Sequence, residues 1–181
     1  KGKEFSNANE YHKVYYHQIG TSQDEDILVY ENSSQPLHFH YPFVSSDGSV
    51  LFILESGEGN GNALYVKNLN VKDSSFVCLE NTQNYEMSPI DVIDGWIYFY
   101  TSKDARKYRL VKAPIDNPIE ENWVTVVAER EDAVLTGVSF AGKSHIILTY
   151  DKDASNQIFI AALNGSVIKK IDLPTFGSVG I

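Results

Sequence analysis

Few side chains in this 181-residue chain are of types, and at spacings, that carry chemistry. A serine nucleophile on a strand-turn-helix scaffold needs a Gly-x-Ser-x-Gly elbow and a base within reach. Ser49, Ser166 and Ser178 each directly follow a glycine, and for Ser49 and Ser166 no second glycine falls two residues later. In Gly177-Ser178-Val179-Gly180 the serine stands one position early. No residue is therefore assigned a catalytic role. His38 and His40 are two apart, which places them on one face of a strand, where paired imidazoles can begin a metal site. A third ligand is not identifiable, so polar edge or channel-lining positions are the expected reading and no metal is predicted. His17 and His145 lie within apolar runs and are expected to be hydrogen-bonded core histidines. Asp151 shares a strand with His145, but no serine joins them by spacing, and His12 precedes a strand without a role.

The remaining candidates also resolve to structure. Gly57-Glu58-Gly59-Asn60-Gly61-Asn62 is glycine-rich, but a phosphate loop needs a following helix. A strand follows at Ala63, so a flexible hairpin loop is expected and no cofactor is predicted. Asp24-Glu25-Asp26 lacks the glycine and bidentate glutamate of a calcium loop and reads as a solvated turn. Asn32-Ser33-Ser34 and Asn164-Gly165-Ser166 are formal glycosylation acceptors, the second also a natural hairpin turn. Cys78, between Val77 and Leu79, is expected to be buried and inert.

These residues are carried by strands. Helical periodicity is almost absent; runs of four to seven residues rich in Val, Ile, Tyr and Phe alternate with Gly, Asn, Asp or Ser. Fourteen such runs are found, starting near Lys13 and ending near Asp172. Gly48, Gly95 and Gly142 each sit between two strands, 47 residues apart both times. Four strands per repeat of this size define a β-propeller blade. The expected fold is all-β: a half blade at 13–30, blades at 38–80, 85–128 and 133–172, and the start of another at 176–181, after a polar loop at 1–12. With 43% apolar residues the chain has material for a core. A formal net charge of −9 repels phosphate backbones and anionic lipid, so neither nucleic acid nor a membrane surface is an expected partner. One cysteine leaves the redox compartment open.

Several segments, in order, resemble the prolyl oligopeptidase family. They are Tyr15-Tyr16-His17, then Gly20-Thr21-Ser22-Gln23-Asp24-Glu25-Asp26-Ile27-Leu28, and the turn Ser45-Ser46-Asp47-Gly48. Tyr108-Arg109-Leu110, Asn117-Pro118, Trp123 and Gly177-Ser178-Val179 continue the match. The resemblance implies a seven-bladed propeller over an α/β-hydrolase domain whose Ser–His–Asp triad cleaves short peptides after proline. Oligopeptidase B, which cleaves after basic residues, shares the Gly-Thr-x-Gln pattern. The resemblance also places Phe39, Glu58 and Gly59 along the outer part of the substrate pocket, and residues 1–12 in a loop near the substrate entrance.

The chain begins with Lys1 and stops within an apolar run, and it is expected to be a piece of a longer protein. Its expected role is to gate substrate for a serine peptidase, without a triad of its own; a non-catalytic propeller that scaffolds partners is the alternative. The missing hydrolase domain, the remaining blades and short peptides are the implied partners. Unpaired edges and bare blade faces predict self-association of the piece alone. The expected compartment is a soluble one, cytoplasmic or periplasmic.

Overall fold

The computed structural model describes residues 9–57, 59–175 and 177–179. Among them are fourteen strands. A two-stranded sheet contains β1 (Lys13–Tyr16) and β2 (Ile27–Glu31). Three four-stranded sheets follow. The first holds β3 (Phe39–Val44), β4 (Val50–Ser56), β5 (Ala63–Asn68) and β6 (Val77–Glu80). The second holds β7 (Met87–Ile93), β8 (Trp96–Thr101), β9 (Arg109–Pro114) and β10 (Val124–Val127). The third holds β11 (Val134–Ala141), β12 (His145–Lys152), β13 (Ser155–Ala162) and β14 (Val167–Ile171). Every sheet is an antiparallel meander in sequence order.

Period-two alternation explains how one strand serves two junctions. Along β8, Ile97 and Phe99 enter a cluster with Phe52, Leu64 and Met87, joining the first four-stranded sheet to the second. Tyr98 points the other way, into a cluster with Leu135, Ile146 and Leu148 that joins the second to the third. Both clusters consist of side chains withdrawn from water, which supplies the main stacking force between sheets.

The turn glycines behave as their spacing requires. Gly48, Gly95 and Gly142 have φ of 75°, 76° and 62°, a region costly for residues with a Cβ. Ile93 pairs directly with Trp96, so Asp94-Gly95, both at positive φ, forms a two-residue turn of the type that matches strand twist.

The first strand is shorter than the apolar run 13–19 suggests. After Tyr16 the chain turns, with Thr21 N–H donating to Gln18 O at 3.1 Å, and Ile19 is 96% exposed. The acidic run Asp24-Glu25-Asp26 lies on and after a single 3-10 turn closed by a Ser22–Glu25 capping box.

Candidate functional site

β4 ends its apolar run in Glu55, which is only 2% exposed. Antiparallel register sets His40 of β3 opposite it, and alternation puts Glu55 on the face of β4 away from Phe52. Four groups converge on this carboxylate. Asn32 Nδ2 donates to Oε1 and Oε2 at 2.9 and 3.1 Å, Tyr30 OH donates to Oε2 at 3.0 Å, and His38 Nδ1 lies 2.7 Å from Oε1. His40 Nε2 stands 3.3 Å from Oε2, close enough for an ion pair but not aligned as a hydrogen bond. Burial alone raises a carboxyl pKa. Here the bonds from His38, Asn32 and Tyr30 and the charge of His40 outweigh burial and hold Glu55 below its ordinary value. Burial, then the charges of Tyr65 and Glu55, raises the Tyr30 phenol, so Tyr30 remains a donor.

Beside this cluster a cavity of about 360 Å³ is lined by Leu37, His38, Gly59, Asn81, Thr82 and Gln83, among others. The Gln83 amide lies 3.2 Å from His38 Nδ1. Gly59, Gly61 and Asn62 of this loop are held against the next sheet, which corrects the expectation of a flexible loop from its composition. Gly61 N–H donates to Gln83 O at 2.9 Å and Asn62 N–H to Tyr85 O at 3.0 Å. The Asn62 side chain bonds Met87 O and Met87 N–H, each at 3.0 Å. A Cβ on Gly59 would stand 2.4 Å from Gln83 O, and one on Gly61 2.0 Å from Tyr85 O. The glycines are there for space.

A second buried carboxylate, Glu80, closes β6. It accepts from Thr82 N–H at 2.7 Å and from Lys103 Nζ at 2.9 Å, and Lys103 also reaches Glu120 at 2.7 Å. Burial opposes ionisation, but Thr82 and Lys103 prevail and lower the Glu80 pKa. The Lys103 ammonium stands 5.7 Å from the ring centroids of Tyr85 and Trp123.

Of the residues singled out from sequence, Gly59 lines this cavity, whereas Phe39 does not: it is 39% exposed, its ring centroid 5.7 Å from that of His12. Glu58 lies outside the described residues. His38 and His40 do share a neighbourhood, centred on a carboxylate; among the described residues no group of His, Cys, Asp and Glu is arranged to hold a metal ion. His12 Nδ1 accepts from His40 N–H at 2.9 Å. His17 is exposed, with Asp26 at 2.7 Å, because β1 has already ended. His145 is partly buried beside Ser144 Oγ at 2.8 Å, and Asp151 is exposed. Ser49 Oγ donates to Asp47 Oδ1 at 2.6 Å within the turn, a serine–carboxylate contact without an imidazole. Asn32 spends its amide on Glu55, and Asn164 Oδ1 accepts from Ser166 N–H and Oγ. Cys78 is exposed, which corrects the expected burial, because β6 is the outermost strand of its sheet; partial screening of the thiol from water and the charge of Glu80 still raise its pKa. The sequence reading missed Glu55, Tyr30, Asn32 and Gln83. The legible signal was an acidic residue ending the apolar run Val50–Leu54, in phase with the buried Ile53.

Sequential four-stranded meanders stacked face to face through apolar clusters define a partial β-propeller of about three and a half blades. The family model described as "Prolyl oligopeptidase, N-terminal beta-propeller domain" matches residues 1–180, and the chain belongs to that family. It is similar to a prolyl endopeptidase of Elizabethkingia meningoseptica, 32% identical over 98% of this chain and 25% of the relative. It is also similar to prolyl oligopeptidase A of Amanita bisporigera, 26% identical over 93% of this chain and 23% of the relative. A structure from a mechanistic study of two prolyl endopeptidases superposes with a TM-score of 0.82 at 27% identity, over 93% of this chain and 25% of the other. Prolyl oligopeptidase B of Galerina marginata, bound to a 35mer substrate, shares the fold with a TM-score of 0.85 at 20% identity, over 97% and 25%. The chain thus spans about a quarter of the length of the relatives it matches.

Proposed function

We propose that these residues form part of the substrate-gating propeller of a serine-type oligopeptidase that hydrolyses short peptides after proline. The observation that carries the reading is the match of residues 1–180 to the propeller domain of this family. The sequence also lacks a nucleophile elbow, so the chemistry falls to a hydrolase domain elsewhere in the complete polypeptide, where serine, histidine and aspartate divide attack, proton transfer and orientation. The propeller contributes by steric selection: a peptide must fit past its blades before the scissile bond reaches the serine. Phe39, Glu58 and Gly59 line the outer part of the peptide site in this reading.

The test is hydrolysis by the complete polypeptide of a short chromogenic peptide with proline before the scissile bond, compared with an arginine counterpart and with a folded protein rich in proline. Cleavage of the proline peptide alone supports the reading. Preference for arginine would move the enzyme to the basic-specific branch, and no hydrolysis of either peptide would favour a binding propeller.

A further inference from the structure

The three junctions between consecutive sheets are built differently. Two are apolar, centred on Phe52, Met87 and Phe99 and on Tyr98, Leu135 and Leu148. Neither cluster contains a residue of β1 or β2. The junction of β1–β2 with its neighbour converges instead on one carboxylate. The Tyr30 ring adds to it, its centroid 5.0 Å from His40, 5.3 Å from Tyr65 and 5.1 Å from Phe76.

We propose that this junction is a proton-operated seam: ionised Glu55 clasps β2 and the segment after it, and protonation of Glu55 lets β1–β2 part from the other sheets. The argument is one of donor count. Tyr30 OH and Asn32 Nδ2 donate to this carboxylate, as does His38 Nδ1 in the tautomer with its hydrogen there. A carboxylate accepts through both oxygens, but a neutral acid turns one oxygen into a donor facing other donors. A buried polar group left unmatched in this way costs far more than an exposed one.

The titratable groups facing Glu55 are known for each packed element. Tyr30 comes from β2, His38 from just before β3, His40 from β3, Tyr65 from β5 and Cys78 from β6; His12 stands behind His40. Because the folded carboxyl is held below its ordinary 4.5, the clasp is fully formed above that value. It is lost as pH falls through the lower folded value.

The test is amide hydrogen exchange on the complete polypeptide, corrected for intrinsic rates, from neutral to acid pH, in the parent and in Glu55→Gln. The variant keeps the shape of a protonated glutamate and puts an NH2 against the donors. At neutral pH, protection of β1–β2 amides is expected to fall by about tenfold or more, the scale of losing one hydrogen bond to a charged acceptor. Amides of β8 and β12 keep theirs. Below pH 4.5 the parent shows the same local loss, and the variant shows no further step. Asn32→Ala, which removes two bonds and leaves the carboxyl, gives a partial loss and retains the acid step. It carries the test if the glutamine variant does not fold. Unchanged protection in β1–β2, loss spread evenly over β8 and β12, or an acid step that survives in Glu55→Gln would overturn the proposal.

Discussion

Replacing Gly61 with alanine tests whether the loop after β4 is fixed by close approach to the next sheet. The added Cβ would lie 2.0 Å from Tyr85 O and 2.3 Å from its carbonyl carbon. These are backbone atoms, so a rotamer change cannot make room. The loop must lift, and lifting it strains the bond from Gly61 N–H, the bond from Asn62 N–H and the two made by the Asn62 side chain. At a net contribution of roughly 1 kcal/mol each, losing two to four of them costs about 2–4 kcal/mol. Gly137→Ala is the control, because its Cβ would meet Thr149 at an ordinary 3.5 Å; the expected change is within about 1 kcal/mol of zero. Urea denaturation of the complete polypeptide and of both variants, with exchange at the Met87 amide as a local probe, measures the difference. Equal midpoints for the two variants, with Met87 still protected in Gly61→Ala, would refute the reasoning.

Three further outcomes are expected. Lys103→Met leaves the buried Glu80 with only its Thr82 bonds and is expected to cost about 2 kcal/mol in denaturant melts. Because Glu80 is held below its ordinary 4.5, the parent keeps this contribution above that pH and loses it on acidification, so the stability gap between parent and variant is widest near neutral pH and closes in acid; a gap that stays constant as pH falls would contradict the assignment. Cys78 reacts with maleimide in the native protein, more slowly at neutral pH than a small free thiol and faster as pH rises, followed by mass spectrometry; protection until unfolding would contradict its exposed position. Residues 1–181 alone, with Tyr15, Tyr16, Ile27 and Leu28 between 42% and 62% exposed, associate at micromolar concentration, and a clean monomer by light scattering would count against that.

The blade pattern was legible because turn positions at positive φ select glycine, and three such glycines recur at one spacing. Properties that depend on which strand is outermost, or on where a strand stops, were not legible. The flanks of Cys78 are apolar on either strand type, so its exposure follows from its position in the sheet. His17 reads as part of an apolar run until the chain turns before Gly20. Gly59 and Gly61 look flexible by composition, because the backbone they make room for belongs to Gln83 and Tyr85, in the approach to the next sheet. Glu55 needed the register of β3 on β4 to bring His40 opposite it, with Tyr30 and Asn32 arriving from another sheet.

The most direct test of the functional account is labelling of the complete polypeptide with a fluorophosphonate probe, followed by peptide mapping. The account predicts a single modified serine outside residues 1–181, with peptide hydrolysis lost in step with labelling. Modification of Ser49, Ser166, Ser178 or any other serine within these residues would contradict it.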